Sequence, residues 1–257
     1  MSKFLKHIKS LTNFARMKAF ILILIILAFF NISCNHLTGD NKPASIDTPK
    51  AELASMSIRT DVPPVFTNNF KGKIQFIEKN LFDTILYNLF VNNNLVRIDK
   101  FEKKENNESI IINLITKQMF VLNHKKKLYS KFQINEEKVE YDSNYKIIKT
   151  ENEKDVIGYK CKQWRVKNAK ENTEITYWVN NQNYGFYYYF IKTWNNTSKI
   201  NKYFQLIPNS FGYMPLEITE RNLLRDIKTS IIFTKLENST IDTSVFKIPK
   251  EYTLFAI

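Results

Sequence analysis

Short runs of alternating apolar and polar residues fill the chain from Phe66 onward, and Asn- and Lys-rich segments separate them. This alternation is typical of β-strands that bury one face. It predicts six strands in the first half of this region, at 70–76, 85–91, 95–101, 109–115, 119–122 and 127–133. The connections between them hold only a few residues each, and short connections favour an antiparallel meander.

A second set of strands is predicted at 145–150, 159–166, 173–179, 185–193, 214–221 and 228–236. The segment 196–207 differs, because its apolar residues recur at the i, i+3, i+4, i+7 spacing of an amphipathic helix. Thr197 or Ser198 could cap the start of this helix, and Pro208 would end it. A single helical turn is predicted at 242–246. The pattern therefore indicates a mainly β (α+β) domain with one or two short helices.

The N-terminal 34 residues have a different character, with five Lys or Arg residues and no acidic residue. The apolar stretch from Ala19 to Ser33 has 15 residues. As a helix it would span only about 22 Å, against roughly 30 Å of hydrocarbon in a bilayer. We therefore predict an export signal at residues 1–33, with Cys34 as the site of lipid attachment. The alternatives are a membrane span, or an ordinary signal peptide whose Cys34 has no special function.

Residues 34–65 show little periodicity and are rich in Pro, Asn, Asp, Ser and Thr. This composition predicts a flexible linker that follows the lipidated cysteine. The remainder, 66–257, is predicted to form one β domain. A domain of about 190 residues can bury roughly 70% of its unfolded surface, which is enough to fold without disulfides.

Net charge limits the kinds of molecule that the protein could bind, and the cysteine content limits its disulfide chemistry. The net charge of the whole chain is +13, and removing residues 1–34 leaves +8 with both signs mixed. Because no basic stripe dominates, we predict no nucleic-acid partner. The main interpretation of the charge is solubility, and attraction to anionic lipid headgroups is the alternative, which fits better than nucleic acid. Cys161 is the one cysteine besides Cys34. It is predicted to be a small buried residue, and the alternative is a reactive thiol.

Candidate catalytic chemistry is sparse. Histidine is the commonest general base, and the chain has only His7, His36 and His124. His7 lies in the predicted signal and His36 in the linker, so a nucleophile–histidine arrangement would have to use His124. The five glycines are too scattered for a phosphate-binding loop. We predict that the protein is not an enzyme and that it needs no metal or cofactor.

Aromatic residues are dense in the second half of the chain. If 185–193 is a strand, Phe186, Tyr188 and Phe190 share one face, and Tyr187 and Tyr189 share the other. One interpretation is a core on one face and a protein interface on the other. A second interpretation is the lining of an apolar ligand site. The candidate ligand-binding residues are Trp164, Trp178, Tyr188 and Phe190.

The segment 155–162, DVIGYKCK, is similar to the I-x-G-Y-K-C-K signature of uncharacterised exported proteins of Gram-negative bacteria. Further matches to these families lie at 70–74, at 116–122 and in the closing segment 242–252. One of the families is called GLPGLI-like, and they resemble the lipoprotein carrier LolA in fold. This resemblance implies a curved antiparallel sheet, a LolA/LolB-like half-barrel, that wraps around a helix and leaves an apolar hollow.

Together these features predict a non-enzymatic envelope lipoprotein, anchored to the outer membrane and facing the periplasm. Its hollow would bind lipid or another apolar ligand. The alternative is an accessory structural subunit of an outer-membrane protein complex, and a hydrolase is a second alternative.

Overall fold

One sheet dominates the computed structural model, which describes residues 67–134, 139–194 and 198–255. Within these residues, twelve strands form a curved, open sheet in the order β12-β6-β5-β4-β3-β2-β1-β11-β10-β9-β8-β7. The strands are β1 (Gly72–Asn80), β2 (Thr84–Asn92), β3 (Leu95–Glu102), β4 (Glu105–Asn113), β5 (Gln118–Asn123), β6 (Leu128–Gln133), β7 (Tyr145–Val156), β8 (Tyr159–Asn168), β9 (Thr173–Asn181), β10 (Tyr213–Arg221), β11 (Ile227–Asn238) and β12 (Thr253–Leu254).

Strand pairing confirms the predicted antiparallel architecture. All neighbouring strands are antiparallel except β12, which runs parallel to β6. Asn93 and Asn94 form the β2–β3 turn, in which Asn93 has a φ of 53°. Asparagine tolerates this left-handed conformation better than most residues, so the tight turn is local in origin. The predicted mainly β fold class is confirmed.

The prediction of a strand at 185–193 is wrong, because this segment is the helix α1 (Gly185–Thr193). Its buried side chains include Phe186, Tyr187, Phe190 and Ile191, which follow the i, i+1, i+4, i+5 pattern of one helical face. Aromatic and β-branched residues favour strands on average, and here packing against the sheet overrides that preference. Gly185 permits the close approach of this helix to the chain before β1. A Cβ atom at this position would lie 1.6 Å from the carbonyl oxygen of Thr67.

The predicted amphipathic helix is confirmed as α2 (Lys199–Gln205). The Ser198 hydroxyl accepts a hydrogen bond of 3.2 Å from the backbone N–H of Asn201, which satisfies one free donor at the helix start. The predicted helical turn is also present as a 3-10 helix (Thr243–Phe246). There the Asp242 carboxylate accepts from the Ser244 backbone N–H at 2.8 Å.

Two layers cover the sheet, one on each face. Helices α1 and α2 pack on one face and enclose the main hydrophobic core, to which strands β1–β4 and β7–β11 contribute side chains. The buried Tyr177 hydroxyl fixes this layer by donating a hydrogen bond of 2.7 Å to the carbonyl of Ile200. A smaller cluster forms where Phe246 packs with Ile111 and Leu122. Thus the segment from 241 to 252 covers part of the sheet at strands β2–β6.

The predicted signal at 1–33, the lipid-attachment residue Cys34 and the linker at 34–65 lie outside the described residues. Within the described residues, no helix combines the length and hydrophobicity needed to cross a membrane.

Candidate functional site

A cleft opens between the two helices and the sheet. Its volume is about 110 Å³. The residues that line it are Glu78, Trp194, Ser198, Lys199, Ile200, Asn201, Glu220, Thr229 and Ile231. Three of them, Glu78, Glu220 and Thr229, come from β1, β10 and β11 and lie near the ends of these strands. The opening of the cleft is therefore at one end of the sheet.

Beneath this cleft lies a smaller, apolar cavity of about 20 Å³. Its lining is almost entirely hydrophobic and consists of Phe76, Leu89, Tyr187, Phe190, Ile191, Trp194, Asn201, Ile218, Ile231 and Phe233. Trp194, Asn201 and Ile231 line both spaces, so the two spaces meet at these residues. The inner cavity has room for about one water molecule. Pockets that hold drug-sized ligands have volumes of about 300–1,000 Å³, so binding such a ligand requires the space to widen.

Trp194 is the one aromatic residue that lines both the cleft and the inner cavity. Its indole stacks on Phe190 with a centroid distance of 5.1 Å and an interplanar angle of 12°. It also meets Phe76 at 6.2 Å and Tyr87 at 5.7 Å, both edge to face. The Trp194 backbone carbonyl accepts a hydrogen bond of 3.0 Å from the Asn201 side chain.

Two carboxyl groups and one lysine are the ionisable groups that line the cleft. Burial raises the pKa of Glu78 above its usual range, although the nearby Lys100 and a hydrogen bond from Tyr87 oppose the shift. Glu220 supplies a second carboxyl group. The one lysine in the lining, Lys199, forms an ion pair of 2.9 Å with Glu171 and is therefore partly neutralised. The mouth accordingly favours a neutral or cationic group over an anion.

The four aromatic residues predicted from the sequence do not gather at one place. Phe190 lines the inner cavity. Trp164 is buried in β8, where it packs against Tyr213 at 4.6 Å and lies under the Lys149 amine at 4.1 Å. Trp164 does not appear in the lining of either space.

Trp178 and Tyr188 also lie away from the cleft. Trp178, in β9, is partly buried against the main core, and the Lys154 amine lies 4.5 Å from its ring. Tyr188 is on the outer side of α1, with the Lys192 amine 4.3 Å above its ring.

A buried polar network, which sequence reasoning missed, lies on the opposite face of the sheet. The fully buried Ser109 hydroxyl donates to the Asp99 carboxylate and lies 2.6 Å from His124 Nε2. His124 Nδ1 lies 2.6 Å from the Tyr252 hydroxyl. These distances fit a neutral imidazole that donates from Nε2 to Ser109 and accepts at Nδ1 from Tyr252.

The network contains the residue types of a serine hydrolase but not their arrangement. In a catalytic triad the carboxylate accepts from the histidine, whereas here Asp99 accepts from Ser109 and from Arg97. Arg97 also donates to the Val245 carbonyl at 2.9 Å. Through Val245 and Tyr252, the network holds the C-terminal segment on the sheet, which is a structural role.

This network should make stability depend on pH through His124. Burial lowers the pKa of His124 in the folded state, Arg97 lowers it further, and Asp99 and Glu108 partly oppose the shift. The unfolded state then binds a proton more readily than the folded state. The stabilising contribution is full above the unfolded pKa of about 6.5 and is lost progressively as the pH falls below it.

We expect the free energy of unfolding to fall more steeply below pH ~6.5 in the wild type than in His124→Gln. Urea unfolding at a series of pH values measures the difference in slope. His36→Gln is the matched control, because His36 lies in the predicted linker and should leave the slope unchanged. Parallel pH profiles of the wild type and His124→Gln would contradict this role of His124.

Cys161 is free and buried in the described structure. Burial raises the pKa of its thiol to about 11, and the thiol lies 3.4 Å from the Tyr159 carbonyl. Because the thiolate is the reactive form, these features fit the buried interpretation rather than the reactive one. Among the described residues, no group of three or more His, Cys, Asp or Glu side chains is placed to hold a metal ion.

A family model described as "Domain of unknown function (DUF4412)" matches residues 70–252 of this chain. The chain belongs to this DUF4412 family. This confirms the broad prediction of a family of unknown function, while the I-x-G-Y-K-C-K signature and the GLPGLI-like relation stay predictions. No curated protein gives a significant match to the chain.

Several solved structures are similar to this DUF4412 protein at low identity. An uncharacterized conserved protein from Thermus thermophilus has 8% identity and a TM-score of 0.42, with 73% of this chain and 91% of that chain covered. MucB, in the MucA/MucB complex of Pseudomonas aeruginosa, has 9% identity and a TM-score of 0.43, with 74% of this chain and 59% of that chain covered. A putative outer membrane lipoprotein-sorting protein domain from Vibrio parahaemolyticus has 7% identity and a TM-score of 0.31, with 70% of this chain and 91% of that chain covered.

Proposed function

We propose that this DUF4412 protein is a non-enzymatic lipoprotein of the cell envelope that binds a lipid or another apolar ligand between its helices and its sheet. The proposal includes anchoring to the outer membrane through acylated Cys34. The observation that carries it is the apolar cavity under Trp194, which meets a polar-mouthed cleft at that residue. An apolar interior with a few polar groups at its mouth is the usual form of a small-molecule site.

Ligand entry would displace the Trp194 ring from its stack on Phe190. An acyl chain that takes its place gains about 0.8 kcal/mol for each CH₂ group that leaves water. A chain of several CH₂ groups therefore offsets the loss of one aromatic stack, which is worth about 0.5–1.5 kcal/mol beyond its buried area. No covalent step is needed, and the protein would act by shielding the ligand from water.

The mouth also restricts the class of ligand. Glu78 and Glu220 disfavour a bound carboxylate or phosphate monoester at the opening. A zwitterionic or uncharged headgroup would meet less repulsion there. Phe190, one of the four aromatic residues predicted from the sequence, and Trp194 are the residues that would contact the ligand.

Titration with a brominated single-chain phosphatidylcholine, kept below its micelle concentration, should quench tryptophan fluorescence saturably. Bromine quenches over short distances, so Trp194 inside the site should dominate the signal. We expect Trp194→Phe to lose most of the quenching. Trp178→Phe is the matched control and should keep it, because Trp178 lines neither the cleft nor the inner cavity.

Equal quenching in Trp194→Phe and the wild type, or quenching that never saturates, would contradict a site at this position. Mass spectrometry of the purified full chain gives a second measurement. Protein that neither retains nor exchanges any lipid would contradict the proposed function as a whole.

A further inference from the structure

Five strand connections lie at the same end of the sheet as the mouth of the cleft, because neighbouring strands there are antiparallel. We call them the rim; they are residues 81–83, 103–104, 124–127, 169–172 and 222–226. The rim carries seven Lys or Arg residues against three Asp or Glu residues. The connections at the other end, 93–94, 114–117 and 157–158, carry one lysine and no acid.

Two of the rim turns also present large apolar side chains to solvent. In the β1–β2 turn, Leu81 is 75% exposed and Phe82 is 90% exposed. In the β10–β11 turn, Leu223 is 48% exposed and Leu224 is 82% exposed. Single exposed apolar residues are common on protein surfaces, but two adjacent pairs at hairpin tips are not accounted for by folding.

The two apolar tips are neighbours. Strands β1 and β11 pair directly, with Asn80 opposite Thr229. The hairpins that contain them are therefore only two strand spacings apart, which is roughly 10 Å. The four apolar side chains therefore lie close together near the middle of the rim.

Local hydrogen bonds fix the shape of both tips. The Asn80 side-chain oxygen accepts from the backbone N–H groups of Phe82 and Asp83, at 2.8 Å each. The Leu223 N–H donates to the Asn172 side chain at 2.9 Å, which ties the β10–β11 turn to the β8–β9 turn. The exposed apolar side chains therefore belong to turns whose backbone is held by hydrogen bonds.

The lysines flank this patch along the rim. Lys103 and Lys104 form the β3–β4 turn, and residues 125–127 are three consecutive lysines in the β5–β6 turn. Arg225 lies within the apolar β10–β11 turn itself. Apolar side chains flanked by cations match the two layers of a bilayer surface, in which acyl chains lie beneath anionic headgroups.

We propose that the rim docks on an anionic lipid bilayer, with Leu81, Phe82, Leu223 and Leu224 entering the headgroup region and the rim lysines contacting lipid phosphates. Charge complementarity selects this occupant over a hydrophobic groove of another protein, which would not need so many cations. The inference goes beyond the proposed function and stands without it. If both hold, docking would bring the mouth of the cleft to the membrane surface.

A tryptophan at the tip tests this proposal in the full chain. Phe82→Trp is compared with Ile157→Trp, the matched control, since Ile157 is an exposed apolar residue in a turn at the opposite end of the sheet. Both variants are added to vesicles of equal parts phosphatidylcholine and phosphatidylglycerol with brominated acyl chains. The predicted N-terminal apolar segment is present in both, so the difference between them reports on the rim.

We expect Phe82→Trp to show a blue-shifted emission and several-fold more added quenching than Ile157→Trp. The difference should shrink in high salt and in vesicles without phosphatidylglycerol. Replacing the three lysines at 125–127 by glutamine should reduce it as well. Equal quenching at the two ends of the sheet would overturn the proposal. The proposal would also be overturned if the tryptophan in Phe82→Trp kept a water-exposed emission on vesicles. The same holds if that tryptophan became buried in a lipid-free complex with another protein.

Discussion

Phe204→Ala is expected to lower the free energy of unfolding by about 3–5 kcal/mol. Phe204 is 1% exposed and lies where α2 meets the sheet. Its ring contacts Tyr177 at 5.2 Å, Tyr187 at 5.5 Å and Trp164 at 6.3 Å. Removing it leaves a cavity between side chains that come from three different elements. Since whole domains are stable by only about 5–15 kcal/mol, this loss should be plain in urea unfolding.

Phe82→Ala is the matched control, because Phe82 is 90% exposed and fills no interior space. We expect its unfolding midpoint to equal that of the wild type. If Phe204→Ala unfolded at the same urea concentration as Phe82→Ala, the assignment of α2 to the core face of the sheet would be wrong.

Asp99→Ala is the second variant with a large expected effect, again about 3–5 kcal/mol of unfolding free energy. The side chains of Arg97 and Asp99 are only 16% and 10% exposed, and they form an ion pair of 2.7 Å. Without the carboxylate, the Arg97 guanidinium loses its counter-ion and Ser109 loses its acceptor. Removing one partner of a buried ion pair lowers the free energy of unfolding more than removing one partner of an exposed pair, because the remaining charge stays out of water.

Glu237→Ala provides the comparison, because the Lys235–Glu237 pair has the same 2.7 Å distance but is about half exposed. We expect its effect to stay below about 1 kcal/mol. The double variant Arg97→Met/Asp99→Leu should recover part of the stability lost in Asp99→Ala, since it leaves no unpaired charge. An effect of Asp99→Ala no larger than that of Glu237→Ala would show that the pair is not buried in solution.

Elements with a strong local pattern could be predicted from the sequence. Period-2 alternation located the strands, and the 3.6-residue spacing together with the Ser198 cap located α2. Helix α1 could not be found in this way, because the run 186–190 is aromatic throughout and composition alone favours a strand. Its helical face becomes visible only once the sheet is there to bury Phe186, Tyr187, Phe190 and Ile191.

The candidate sites depend on long-range contacts, for which the sequence carries no local signal. Residues that line the mouth of the cleft come from β1, α2, β10 and β11. In the polar network, His124 meets Tyr252 across 128 positions of the chain. The sheet register also places Ser109 opposite Leu122, two residues before His124. The rim is the exception, because its signal is local. Adjacent apolar residues and runs of lysine in predicted turns can be seen in the sequence alone.

The two edges of the sheet differ in how they resist aggregation. β7 forms one edge over twelve residues, but it is irregular between Lys149 and Glu153 and rich in charged side chains, features that discourage the addition of a foreign strand. At the other edge, the two residues of β12 pair with the start of β6. β12 thus covers the Leu128–Tyr129 part of an edge whose free N–H and C=O groups could otherwise pair with a foreign strand.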